Sequence, residues 1–400
     1  MIIGMGMRTF GQIGVFLAIT RLLGIDAYGA YTAVLALASV IGNFTGLGAA
    51  TFMSREVARQ NYIFSNAWKN SIAAFILTVP ILFCIYLLLF YFFFPEKIKW
   101  VVIISLGVSE LALIPLSSMA MLAFQGHDRI GKAASLILVP IIPRFIAALS
   151  LIFIVYSFPF LDRLQTWAIL YLISSFIAAC YALYCVKCEF GVSLTPVWSQ
   201  LFYVLKQSYA FSFNDAALKF LSDIDKTMLA SITTLEIAGA YSAAYRIADI
   251  GILPLNALLA SAQPRFARIG IQGVNPTIKY ALKILPLPFG YTIIIGGILY
   301  FMAGKLPLLI GQQFTQAVDT LRWLAWLPLL SLPRLFMQSI LVNANQQRIL
   351  SIALCFGACL NIILNFFMIF RWGWRGAVSA TYCAELIMLL ILSYFLKCRR

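Results

Sequence analysis

The chain has 400 residues, of which 62% are hydrophobic and only 11% charged, with a mean hydropathy of +0.93. A soluble domain needs roughly a quarter of its residues charged to cover its surface, so lipid must do the covering here and an ordinary soluble enzyme is excluded. A net charge of +15 would suggest nucleic acid in a soluble chain, but no run of five like charges and no compact polar domain is present, so no nucleic-acid partner is expected and the basic excess reads as cytoplasmic loops.

Apolar runs long enough for a bilayer, about 20 residues each, fall near 2–20, 28–50, 70–94, 100–124, 133–157, 165–187, 204–230, 237–262, 279–303, 316–342, 347–370 and 376–396. The fold class is therefore all-α integral membrane with twelve transmembrane helices. Runs such as "AFILTVPILFCIYLLLFYFFF" lack the alternation of a barrel strand. The opening "MIIGMGMRTFGQIGVFLAIT" has no basic n-region and no small-x-small cleavage site, so it reads as a retained first helix. With an inside N-terminus, sixteen Lys and Arg fall in cytoplasmic segments and eight in the opposite loops, which predicts both termini in the cytoplasm.

An internal repeat supports six helices per half. "GAYTA" at Gly29 to Ala33 returns as "GAYSA" at Gly239 to Ala243, each opening a helix of the same rank. "SREVAR" (54–59) is matched by "QPRFAR" (263–268), and "GHDRI" (126–130) by "NQQRI" (345–349), in the same order. The expected division is residues 1–190 as one six-helix lobe, 191–202 as a cytoplasmic linker and 203–400 as the second lobe. Six is even, so the halves enter from the same side and are related by a pseudo-two-fold along the membrane normal, the arrangement of alternating-access transporters.

Catalytic and metal chemistry have little raw material. His127 is the single histidine, and Cys185-Val-Lys-Cys188 has no second pair to complete a zinc site. Cys84, Cys180, Cys355, Cys359 and Cys383 read as small buried hydrophobes.

Charges inside the spans are the informative residues, because each costs roughly 3 kcal/mol at the bilayer centre unless it faces a bundle interior or a water-filled cavity. The cations are Arg144 in the fifth segment, Lys219 in the seventh, Arg246 in the eighth, and Arg322 and Arg334 in the tenth. The anions are Glu110 in the fourth, Asp215 and Asp223 in the seventh, Asp249 in the eighth and Glu385 in the twelfth. Asp215, Lys219, Asp223 and Lys226 share one stripe of a helix, while Phe211, Phe213, Phe220 and Leu221 occupy its other sides.

Arg144, Lys219, Arg246 and Arg322 are the candidate substrate-binding cations, since guanidinium and ammonium groups suit phosphate oxygens. Arg144 and Arg322 lead that set, having no acid within a helical turn on this reading. Asp215, Asp223, Asp249 and Glu110 are the candidate sites for a coupling ion. The alternative is that these groups only lock helices together, Arg246 pairing with Asp249 and Lys219 with Asp215 or Asp223.

Pro140, Pro143, Pro254, Pro286, Pro288, Pro328 and Pro333 predict kinks. Trp68, Trp100, Trp198, Trp323, Trp326, Trp372 and Trp374, near segment ends, read as interfacial anchors.

Phe16 to Arg59 carries Arg-Leu-Leu-Gly at Arg21 to Gly24, Gly-x-Tyr at Gly29 to Tyr31, a glycine-bearing helix end at Gly46 to Gly48 and a basic stretch at Arg55 to Arg59. The second half carries Asp225, Lys226, Gly239 and Tyr241 in the corresponding order. In these features the chain resembles the polysaccharide transporter family, the Wzx-type O-antigen flippases of the multidrug/oligosaccharidyl-lipid/polysaccharide exporter superfamily.

The resemblance implies a MATE-like fold of two six-helix lobes, and a non-enzymatic flippase without a cofactor beyond a coupling proton or sodium ion. The implied substrate is an undecaprenyl-pyrophosphate-linked oligosaccharide. Membrane lipids, a polysaccharide polymerase and a chain-length regulator are the implied partners, and the bacterial inner membrane is the implied location. A cation-coupled multidrug exporter of the related fold is the alternative, but the intramembrane cations at least match the acids and favour an anionic cargo. A polymerase or ligase would need a large extracytoplasmic loop, and every loop here is short.

Overall fold

In lipid, backbone groups have no water to bond, so long apolar runs must close their hydrogen bonds within each segment as helix. A computed structural model describes residues 2–59, 63–94, 97–344 and 346–398, and all regular structure among them is helical. Asn345 of the second "NQQRI" copy and the terminal Arg399 and Arg400 lie outside the described residues.

The chain forms two compact units, one up to Lys219 and one from Phe220. The first contains α1 (Ile2–Leu23), α2 (Ile25–Gly42), a 3-10 turn (Thr45–Gly48), α3 (Ala49–Arg59), α4 (Phe64–Phe93), α5 (Trp100–Val108), a π turn (Ser109–Leu113), α6 (Ile114–Gly126), α7 (Ile130–Leu138), α8 (Ile141–Ser157) and α9 (Arg163–Phe190). Next comes α10 (Leu201–Ile232), inside which the unit boundary falls. The second unit continues with α11 (Leu235–Gly270), α12 (Val274–Ile284), α13 (Pro286–Met302), α14 (Leu306–Ile310), α15 (Ala317–Leu324), α16 (Leu327–Asn343), α17 (Gln347–Trp372) and α18 (Trp374–Cys398).

Helix is found at all twelve expected positions. Among the described residues nine helices are long and apolar enough to cross a membrane, and ten if α15 and α16, bent by 41°, count as one span. In α1 the apolar stretch, Phe10–Leu23, is shorter. In α10 six charged residues, Lys206, Asp215, Lys219, Asp223, Asp225 and Lys226, dilute the apolar run.

Small residues carry the packing inside each unit. In α2 the repeat residues Gly29, Ala30, Tyr31, Thr32 and Ala33 are all buried, and so are their counterparts Gly239 to Ala243 in α11. Such residues let helix backbones approach closely where lipid provides no hydrophobic drive between helices. In the first unit the basic motif meets the polar loop motif, Gly126 lying against the backbone of Ser54; in the second unit Gly270, two residues past the basic motif, lies against the carbonyl of Asn343, two residues before the loop motif.

The core of the first unit joins Met53, Val57, Phe64, Trp68, Met119 and Phe124. Outward faces carry Ile81, Leu88, Phe153, Phe366 and Phe370, all exposed on the chain and suited to lipid.

Between α2 and α3 the chain turns through three left-handed residues, Gly46, Leu47 and Gly48, with φ of 68°, 43° and 76°. Thr78 accepts from the Gly46 N–H at 2.8 Å, and Ser208 on α10 donates to the Leu47 carbonyl at 2.7 Å. Phe211 of α10 stacks on Arg55 at 5.5 Å, and Phe213 packs edge-on against Phe44. These contacts place the first half of α10 with the first unit, beyond the expected division at residues 191–202.

Three prolines sit at breaks: Pro140 caps α8, Pro286 opens α13 and Pro328 opens α16. There the missing N–H is one a helix start leaves unpaired anyway. Pro254 and Pro333 instead lie inside continuous helices.

Two expectations are corrected. Cys84, Cys180 and Cys359 are exposed, and Cys355 and Cys383 half-buried, because an apolar residue in a membrane helix has lipid as well as protein to face. Trp68 is no interfacial anchor but a buried member of the first unit's core, whereas Trp100, Trp198, Trp323, Trp326 and Trp372 are exposed.

Candidate functional site

Each unit holds one polar centre, built on side chains that the surrounding helices cannot leave to lipid. In the first unit the centre begins with a backbone irregularity. The π turn at Ser109–Leu113 inserts one residue into an otherwise continuous helix, and such insertions free backbone groups and re-aim side chains. Thr45 donates to the Leu111 carbonyl at 2.9 Å, taking up one of those groups. Gly42 packs so close that an added Cβ would lie 2.5 Å from the Glu110 carbonyl oxygen.

Glu110, on this turn, accepts the Tyr171 hydroxyl of α9 at 2.5 Å. The opposite resource of Tyr171 is its face, over which the Arg144 guanidinium of α8 lies at 3.9 Å. Tyr31, from the first repeat motif, and Trp167 pack edge-on around that ring. Arg144 also donates to Ser175 at 3.4 Å, while its Nε is buried and makes no hydrogen bond among the described residues. A buried guanidinium N–H without an acceptor is costly unless an anion completes it.

In the second unit the centre is built on α10, α11, α16 and α18. Lys226 Nζ donates to Asp223 Oδ1 at 2.9 Å, to Asp225 Oδ1 at 3.4 Å and to the Ser222 carbonyl. Tyr241 of the second repeat motif donates to the other oxygen of Asp225 at 2.5 Å. Tyr245, one turn along, lies under the Lys226 ammonium at 4.0 Å. Beyond it Arg334 Nε donates to Glu385 at 2.6 Å, and Ser331 donates to the same carboxylate at 3.2 Å. Arg334, Glu385, Asn361 and Thr381 line a narrow cavity with Leu221, Ala384 and Met388.

The predicted site residues divide accordingly. Arg144 and Glu110 come together through Tyr171. Asp223 is bound by Lys226, so it is filled rather than open. Asp249 lies near enough to act electrostatically on Lys226 and Tyr245, which places it in the same centre. Arg246 and Lys219 are each engaged within the fold, and Asp215 and Lys219 are exposed, on the part of α10 that belongs to the first unit.

Arg322 is corrected. It is exposed and pairs with Asp319 at 3.4 Å, three residues back on the same short helix. That acid is within one turn after all: Asp319 lies inside the expected run 316–342 and shares the helix Ala317–Leu324 with Arg322.

The sequence reading missed Tyr171, Tyr245 and the importance of the Arg334–Glu385 pair. Asp225, Lys226 and Tyr241 stood in the resemblance motif, and their recurrence there was the usable signal. Among the described residues no group of three or more His, Cys, Asp or Glu is placed to hold a metal ion. Cys185 and Cys188 are free.

The model of a family described as polysaccharide biosynthesis protein matches residues 2–270. No curated protein matches the chain. Among solved structures the chain is similar to an inward-facing multidrug resistance MATE family transporter of the MOP superfamily, with TM-score 0.75, 15% identity and 98% of this chain and 95% of that one covered. It is also similar to an outward-facing transporter of the same description, with TM-score 0.62, 14% identity and 100% and 93% covered. A third is a MOP superfamily transporter from Pyrococcus furiosus described as having a binding pocket of reversed polarity, with TM-score 0.63, 14% identity and 99% and 93% covered. At these identities the likeness shows the fold, and the fold is that of a MATE-type transporter.

Proposed function

From the premise that this chain belongs to the polysaccharide biosynthesis family and is a multi-pass membrane protein with a MATE-type transporter fold, we propose that it is a flippase for lipid-linked oligosaccharide. Its cargo is an undecaprenyl-pyrophosphate-linked repeat unit for O-antigen or a related polysaccharide. Transfer runs from the cytoplasmic to the periplasmic leaflet of the bacterial inner membrane by alternating access, and the N- and C-termini are cytoplasmic. No bond of the cargo is made or broken.

Arg144 carries the proposal. Its guanidinium is held over the face of Tyr171, with one buried Nε–H left over, so a planar fork of donors is pre-organised for an incoming oxyanion. A diphosphate supplies acceptors of that kind, whereas a cationic drug would be repelled. Lys219, in the same unit, is proposed as a secondary cation, and Arg246 as the candidate cation of the second unit.

Coupling to a proton or sodium ion is assigned to Glu110, through the ring it shares with Arg144. When Glu110 is ionised it holds the Tyr171 hydroxyl. Neutralisation of Glu110 loosens that ring and with it the platform for Arg144. Asp215 and Asp249 are retained as further candidates, with Asp223 set aside because Lys226 occupies it.

The test is reconstitution of the full chain in vesicles carrying a labelled undecaprenyl-pyrophosphate oligosaccharide on one leaflet. The native protein is expected to move label across, and Arg144→Gln to insert normally and move little. Equal transport by Arg144→Gln and native protein would remove Arg144 from the site. Transport of cationic dyes with none of the labelled lipid would instead establish the drug-exporter reading.

A further inference from the structure

The head group of Lys226 sits where a small bare cation would sit. Its three acceptors are the Ser222 carbonyl, Asp223 Oδ1 at 2.9 Å and Asp225 Oδ1 at 3.4 Å. The face of Tyr245 covers a further side at 4.0 Å, and the quadrupole of such a ring attracts cations. Every one of these ligands accepts charge and none donates a proton, which is the oxygen-rich donor set that hard cations take.

The nest is also held in place without help from the lysine. The Tyr241 hydroxyl fixes the second oxygen of Asp225 at 2.5 Å, and Asp225 and Lys226 are only 2% and 8% exposed. Asp249 adds negative charge nearby.

We propose that Lys226 is a built-in cation: its tethered ammonium fills a monovalent-cation site formed by Ser222, Asp223, Asp225 and Tyr245. This half of the transporter therefore keeps its cation permanently instead of exchanging it with solution. A group held in position by a short covalent tether has an effective molarity far above that of free ions in solution. Free sodium or potassium consequently does not displace it. Removing the ammonium leaves Asp223 and Asp225 facing each other in low dielectric, an arrangement that favours capture of any available cation. The inference concerns cation occupancy alone and holds whatever the cargo is.

The experiment is thermal unfolding of the full purified chain in detergent. Sodium, potassium and methylammonium chloride are each compared with N-methylglucamine chloride at equal ionic strength. The native protein is expected to melt at one temperature in all four. Lys226→Ala is expected to melt lower in N-methylglucamine and to rise by about 2 °C when sodium, potassium or methylammonium stands at ten times its dissociation constant. Adding Asp225→Asn to that variant should abolish the rise.

Specific stabilisation of the native protein by sodium or potassium, lost in Asp225→Asn, would overturn the proposal without any change at position 226. Lys226→Ala that ignores all three small cations overturns it as well. So does Lys226→Ala that stays unfolded in each of them, since a cation site of this geometry would be refilled.

Discussion

Glu110 and Arg144 are joined through a single ring: Tyr171 gives its hydroxyl to Glu110 at 2.5 Å and its face to Arg144 at 3.9 Å. Tyr171→Phe separates the two contacts, because it deletes the bond to Glu110 and keeps the face. It is expected to retain most of the native transport at neutral pH while shifting the pH profile. Tyr171→Ala loses both contacts and should resemble Arg144→Gln, in which transport falls by roughly 10- to 100-fold, the range for losing a charge-assisted hydrogen bond. Initial rates in vesicles across a pH series decide between them, and identical profiles for native protein and Tyr171→Phe would dissociate Glu110 from coupling.

The Arg334–Glu385 pair offers a stability test. The two side chains are 16% and 13% exposed and 2.6 Å apart, and removing one member of a buried pair costs about 3–5 kcal/mol because the other charge is stranded. Arg334→Met and Glu385→Met should each lower the melting temperature substantially. The double variant should recover most of the loss, since an apolar replacement of both leaves no orphan. Additive losses in the double-mutant cycle would mean that the pair is not coupled.

How far the sequence disclosed this arrangement depends on the range of the interaction. The twelve helical segments were legible because length and apolarity are local properties, and the doubled "GAYTA" and "GAYSA" motifs marked the buried start of α2 and α11. Helical spacing also put Asp223 and Lys226 on one stripe, and they do bond. It could not supply Tyr171 as the platform of Arg144, since the ring comes from a different helix and nothing local marks it. It likewise passed over Asp225, which lies off the stripe yet sits beside Lys226 once the side chains fold over. Arg322 shows the opposite failure. Its local acid was in plain view, since Asp319 stands three residues back inside the same expected run, 316–342.

Backbone geometry gives a third prediction. Gly48 has φ of +76°, and a Cβ there would run into the Ser208 carbonyl. Gly48→Ala should therefore destabilise by more than the 1–2 kcal/mol or so of the left-handed conformation alone. Gly297, inside α13, has open space where a Cβ would go, and Gly297→Ala should stabilise by roughly 0.5–1 kcal/mol. Melting temperatures of the two variants should move in opposite directions.

The loop ahead of α9 gives a pH prediction outside the membrane. Burial pushes the Asp162 carboxyl up, but the hydrogen bond and charge of Lys99 at 2.8 Å and the N–H groups of Gln165 and Leu164 outweigh it and hold the group below the usual aspartate range. The folded-state value thus lies below the unfolded one, so the stabilisation is present above the unfolded titration and fades as pH falls through the depressed value. Amide exchange at Leu164 and Gln165 should stay slow through the ordinary aspartate range and quicken only in stronger acid. Asp162→Ala should remove the cap at any pH and cost about 1 kcal/mol. Unchanged protection in that variant would show that the cap does not hold the helix start.

The π turn under Glu110 also sets the rotational phase of the helix that follows it. One extra residue rotates everything downstream by about 100° relative to an uninterrupted α-helix. On the upstream side Val102, Ile103 and Leu106 point inward, and on the downstream side Met119, Ala120, Ala123 and Phe124 do so, meeting Trp68. Both faces are buried only because the insertion lies between them. Winding the same residues as unbroken α-helix would swing Met119 and Phe124 away from that core, so the irregularity that presents the acid also keeps both ends of its helix seated, and it cannot be ironed out at this sequence without unseating the helix.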